Sequence, residues 1–103
     1  MKVVYIGHPF GGKLENVQAV EQIILKLINK YPDYVFYSPL HATGFMYSLV
    51  DYDLGMQHCI EFLKRSDELW LFGDWNNSKG CNIEYRFAIK NNMSIKFLEG
   101  FGC

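Results

Sequence analysis

A chain of 103 residues, half of them hydrophobic and 17% aromatic, with a net charge of −1, has the composition of one small folded domain and not of a disordered segment. No basic run is present, which argues against wrapping duplex nucleic acid, because that affinity comes mainly from clustered Lys and Arg. The apolar stretches fall far short of the roughly 20 residues that a membrane-spanning helix needs.

In chain order, Lys2-Val3-Val4-Tyr5-Ile6 is β-branched and aromatic and is bounded by Gly7 and Pro9, so it predicts a buried first strand. No apolar signal region or cleavage site accompanies it, and no signal peptide is expected. A glycine-rich loop follows. Asn16 to Lys30 carries Val17, Val20, Ile23, Ile24, Leu27 and Ile28 at helical spacing, the pattern of an amphipathic helix. After Pro32-Asp33, Tyr34 to Tyr37 reads as a second strand that ends at Ser38-Pro39. Leu40 to Tyr52 is the longest irregular stretch, aromatic-rich, and a loop of that length is commonly functional or a site of association. Asp53 to Arg65 predicts a second helix, Glu68 to Phe72 a third strand, Lys79 to Asn91 a third helix and Ser94 to Leu98 a fourth strand.

Strand and helix alternate without hairpin signals. The expected fold is α/β: one domain over residues 1–103, a small doubly wound, Rossmann- or flavodoxin-like parallel sheet. About four strands are expected in the order 2-1-3-4, with helices on both faces. Ligands in such sheets bind beyond the carboxyl ends of the strands, near the point where strand order reverses. Three loops are therefore expected to share one crevice: Gly7 to Lys13, Ser38 to Tyr52 and Gly73 to Lys79.

The third of these passes from strand to helix through Gly73, Asp74, Trp75, Asn76, Asn77, Ser78, Lys79 and Gly80. Unsatisfied amides and the positive end of the helix dipole face a crevice at such a junction. Ser78 suits a helix cap and Gly80 the turn; the Ser78 hydroxyl and the amides after it also suit a phosphate or a sugar hydroxyl. Glu84 is read into the first turn of the helix, where the dipole would keep it ionised and aimed at the ligand. Trp75 is placed either to stack on a base or to rim the pocket. The first loop, with Gly7, His8, Pro9, Phe10 and Gly11, lacks the spacing of a dinucleotide fingerprint or a Walker loop, so its contacts would be through backbone amides. His8 and His41, both on crevice loops, are ligand-contact candidates, whereas His58 reads as structural.

Cys59, Cys81 and Cys103 are odd in number and widely spaced, and match neither a disulfide framework nor a zinc pattern. No metal and no cofactor is expected, and the chain reads as a reduced, soluble, cytoplasmic protein. Cys81, near a helix N-terminus, is a candidate for a lowered pKa. Asp51 and Asp53 most simply cap the helix they precede.

The opening VVYIGHPFGG, the strand SDELWLFGDW and the turn-helix NSKGCNIEYRFA together resemble the nucleoside 2-deoxyribosyltransferase-like superfamily, which includes deoxynucleoside monophosphate N-glycosidases. The resemblance covers nearly the whole chain in element order, and its specific motif is Ser-x-Gly-x-x-x-Glu, here Ser78, Gly80 and Glu84. It implies a nucleoside or nucleotide ligand, with Glu84 as the nucleophile toward the anomeric carbon. It also implies that Tyr5 positions that nucleophile and that Ser78 contacts phosphate or sugar.

Family members protonate the leaving base with an Asp. The corresponding position here is Cys59, with Asp53 about one and a half helical turns earlier and Asp74 as the other acidic substitute. Loss of a general acid typically costs ~10²–10⁴-fold in rate. Either a substitute acts, or the protein is a catalytically silent module that senses or sequesters a nucleotide-derived ligand. The resemblance further implies a homo-oligomer, for which Phe45, Met46, Tyr47 and the tail Phe101 to Cys103 are apolar surfaces.

Overall fold

The structure, a computed structural model, describes residues 1–98; the apolar tail Phe101 to Cys103 lies outside the described residues. Four parallel strands, β1 (Lys2–Gly7), β2 (Tyr34–Tyr37), β3 (Glu68–Phe72) and β4 (Ser94–Leu98), form one sheet in the order β2-β1-β3-β4. The helices are α1 (Leu14–Lys30), α2 (Pro39–Thr43), α3 (Tyr52–Lys64) and α4 (Lys79–Lys90). The expected fold and strand order are therefore those of the molecule.

Burial follows position in the sheet. The two central strands are the apolar ones: β3 is buried at every residue, and β1 from Val4 to Gly7. The edge strands β2 and β4 alternate or stay half exposed. One face carries Val4, Ile6, Trp70 and Phe72 against Val20, Ile23 and Leu27 of α1. Those three helical residues recur at i, i+3 and i+7, the spacing that keeps one face toward the sheet. The other face carries Tyr5, Leu69 and Leu71 against Leu63 of α3 and Cys81 and Ala88 of α4. Trp70 is fully buried and its indole N–H donates to Glu68 Oε1 at 2.8 Å, which satisfies the one polar atom that so large a core side chain brings with it.

One expected element differs. The stretch after Ser38 is not irregular: it is the short helix α2 followed by a 3-10 turn over Gly44–Met46. Ser38 starts it as N-cap and Pro39 occupies the first helical position, where a missing N–H costs nothing.

Because the chain passes from β1 to β2 on one side and later to β3 on the other, the switch point lies between β1 and β3. Gly7, at the end of β1, is packed so closely that an added Cβ would come within 2.6 Å of Leu71 Cδ2. Leu71 is itself fully buried, so any shift of its methyl must be taken up within the packed core. Gly7→Ala is expected to lower stability by about 1–3 kcal/mol, read as a lower midpoint in urea denaturation with an unchanged slope.

Candidate functional site

A cleft of about 560 Å³ opens beyond the carboxyl ends of the strands. Its walls come from the three loops anticipated to meet there, together with the first two turns of α3. The loop after β1 makes a tight turn with Gly11 and Gly12 at φ +60° and +72°, a backbone region that favours glycine. Asn16 holds this turn by donating to the Phe10 carbonyl at 2.8 Å. The Phe10 ring meets Tyr47 edge to face, centroids 5.1 Å apart, so the first and second loops share an aromatic wall. Gly73, at φ +60°, lies against the His8 ring and joins the first loop to the third.

Glu84 lies at the base of this cleft, 5% exposed. The Tyr5 hydroxyl donates to Glu84 Oε2 at 2.5 Å from beneath. Tyr5 is both a core aromatic and the carboxyl's hydrogen-bond donor. It does not itself line the cleft.

Two expectations about charge are corrected. Glu84 is the sixth residue of α4, not in its first turn, and the influence of the dipole falls off within that turn. Burial dominates and pushes the Glu84 carboxyl from its ordinary 4.5 up to about 8, with the Tyr5 hydrogen bond pulling the other way. The group is thus largely protonated at neutral pH, not held ionised. Cys81 is likewise not activated: burial first, then the Glu84 charge, pushes its thiol up to about 12. Tyr5 is raised well above 10, by burial and then by Glu84, and remains a donor.

Of the other residues singled out in the sequence, His8, Pro9, Phe10, Gly11, Asp74, Asn77, Ser78 and Gly80 line the cleft. Ser78 caps α4 by accepting from the Cys81 amide at 3.3 Å, and its hydroxyl is also a side-chain partner of the Cys81 thiol. His8 is half buried, and desolvation lowers its pKa, so its ring is neutral near pH 7. Four residues stand elsewhere. Gly7 is sealed in the sheet. His41 points away from the cleft toward Glu21. Trp75 packs on Tyr85 and Phe97 at 5.1 and 5.5 Å, because the apolar side of β4 and α4 covers it. Asp53 is exposed in the first turn of α3 and does not line the cleft; Asp51, which caps that helix through the Asp53 and Leu54 amides, does.

Cys59 lines the cleft, its sulfur 3.9 Å from the Thr43 hydroxyl. Burial and the Glu84 charge raise its pKa, so it carries its proton at neutral pH. Thr43, Lys13, Tyr52, Met56 and Lys79 were not singled out. Tyr52, Gly55, Met56 and Cys59 are one stripe of α3 at i, i+3, i+4 and i+7, a spacing visible in the sequence but overlapping the core stripe that ends in Leu63. The Lys79 ammonium lies 4.6 Å from the centre of the Tyr52 ring, a cation–π contact that ties the start of α4 to the start of α3 at the rim. Among the described residues no group of three His, Cys, Asp or Glu is placed to hold a metal, and no helix is long and apolar enough to cross a membrane.

Fold and site together define a small doubly wound α/β domain with a ligand-sized cleft and one buried carboxyl at its switch point. Residues 2–98 match the family described as a domain of unknown function, DUF7768, and the chain belongs to that family. No curated protein matches it.

The folded pKa of Glu84 lies above its ordinary value, so between about 4.5 and about 8 the folded state holds one more proton than the unfolded state. Stability therefore falls as pH rises through that window. Glu84→Gln is expected to remove this slope, measured as urea midpoints at several pH values from 5 to about 8. Tyr5→Phe deletes the one interaction that lowers the Glu84 pKa and is expected to move it above about 8, followed by NMR titration of the carboxyl carbon.

Proposed function

We propose that the cleft binds a nucleoside or nucleotide and that Glu84 attacks the anomeric carbon of its sugar, cleaving or transferring at the N-glycosidic bond. One observation carries the reading: a nearly buried carboxyl, fixed from below by Tyr5 at 2.5 Å, at the base of a cleft with an aromatic wall. Only one of its two oxygens is engaged by Tyr5. A carboxylate so placed suits an oxocarbenium-like centre, forming a glycosyl intermediate that water or a second base then resolves. The sequence resemblance to nucleoside 2-deoxyribosyltransferase-like proteins points the same way. Phe10 and Tyr47 supply aromatic surface for a base, and Ser78 with the start of α4 supplies donors for a sugar or phosphate oxygen.

Asp53, one of the two acids weighed as substitutes for the family Asp that Cys59 replaces, drops out of this mechanism because it lies outside the cleft. Asp74 and Asp51 remain as cleft carboxylates. A cytoplasmic setting and self-association belong to the same proposal, the latter on the exposed Phe45 and Leu49 beside the cleft.

A silent binding module is the second reading, favoured by the protonated state of Glu84 near pH 7 and by Cys59 in the cleft wall. Incubation with a panel of deoxynucleosides and their monophosphates separates the two. Under the enzymatic reading free base appears, its rate rises with pH toward about 8, and Glu84→Ala abolishes it. Binding by calorimetry without base release establishes the silent module, and absence of both binding and release overturns both readings.

A further inference from the structure

His41 leaves the cleft for a second constellation on the opposite side of α2. Ser38 Oγ lies 2.7 Å from His41 Nδ1, and His41 Nε2 lies 2.9 Å from Glu21 Oε2. The three side chains come from the end of β2, from α2 and from α1. They border a shallow groove of about 630 Å³ whose other walls include Ile24, Leu25, Phe36 and Ala42. The imidazole and the carboxylate are 36% and 51% exposed as side chains, whereas Ser38 is 8% exposed and held in place.

The hydrogen-bond roles follow from chemistry. An ionised Glu21 is only an acceptor, so Nε2 carries the ring proton and Nδ1 keeps the lone pair. That lone pair accepts the Ser38 hydroxyl proton. A serine, a base and an acid that orients the base are the parts of a nucleophilic hydrolase, recognised by geometry and role and not by position in the chain. The ring nitrogens are used in the reverse of the usual order, which leaves the base chemistry intact. Ser38 also caps α2 by accepting from the His41 amide at 3.4 Å. That bond uses the oxygen as acceptor and leaves the hydroxyl proton to be donated to the imidazole. Capping accounts for neither the ring contact nor the Glu21 bond.

We propose that Ser38, His41 and Glu21 form a second, hydrolytic site for small esters whose apolar acyl or aryl group lies in the groove. Ser38 Oγ bonds to the carbonyl carbon as its proton passes to His41 Nδ1. The ester C–O bond then breaks, and the departing alkoxide takes that proton. Water attacks the acyl-serine, gives one proton to His41 and releases the carboxylic acid as Ser38 regains its hydrogen.

The test uses the full chain with p-nitrophenyl acetate and, separately, with a fluorophosphonate probe mapped by peptide mass. Expected are nitrophenolate release above the buffer rate and a phosphonyl mass increment on Ser38. His41→Gln, which keeps the Ser38 cap, should lower both rates by ~10²–10⁴-fold, the usual contribution of a positioned base, and Glu21→Gln should lower them less. A probe increment absent or found on another residue overturns the proposal, as do rates that His41→Gln leaves unaltered.

Discussion

The hydrogen bond from Tyr5 to Glu84 joins the core of this molecule to its cleft. Tyr5 is a fully buried residue of a central strand, and Glu84 reaches it from the second turn of a helix on the same face. A carboxyl group taken that far out of water must be paired, hydrogen-bonded or neutralised. Here one phenol supplies the bond and burial supplies the neutralisation, since the desolvation cost exceeds what a single donor returns. Nearby, at the start of α4, Gly80 leaves room for Tyr52: a Cβ built there would come within 3.2 Å of the Tyr52 hydroxyl.

The two faces of the sheet divide the work. The face under α1 is a conventional core of aliphatic and aromatic residues around Trp70. The face under α3 and α4 carries the proton-bearing side chains: Tyr5, Tyr37, Cys59, Cys81 and Glu84. Their pKa values are all raised, by burial before anything else, so the face is close to uncharged at neutral pH although rich in ionisable groups. Such a face holds acid and donor groups at the cleft floor in their uncharged forms. It also makes protonation of Glu84 the variable on which any nucleophilic role depends.

Much of the fold was legible in the sequence because local signals agreed with one another. Continuous apolar runs in β1 and β3 meant burial on both faces, and the i, i+3, i+7 residues of α1 meant one buried stripe. The alternation of strand and helix left a parallel sheet as the simplest arrangement. The convergence of three loops at the carboxyl end followed from that topology. The helical order after Ser38 was not legible, since five residues of α2 and a 3-10 turn give too short a window for periodicity to register.

The sequence by itself determined the strand order, the strand-end cleft and the presence of a carboxylate in the helix after β3, because periodicity and turn chemistry are written residue by residue. Which side chains meet was decided only by tertiary structure. Tyr5 and Glu84 are 79 residues apart, and nothing local distinguishes a core tyrosine from a hydrogen-bond donor. His41 and Trp75 stood on the right loops yet face away, toward Glu21 and toward Tyr85 and Phe97, because side-chain direction is set by what the neighbouring elements leave to pack against. The ionisation of Glu84 was decided the same way: dipole and cap are local and readable, whereas desolvation depends on everything stacked around the group, and here it is the larger effect.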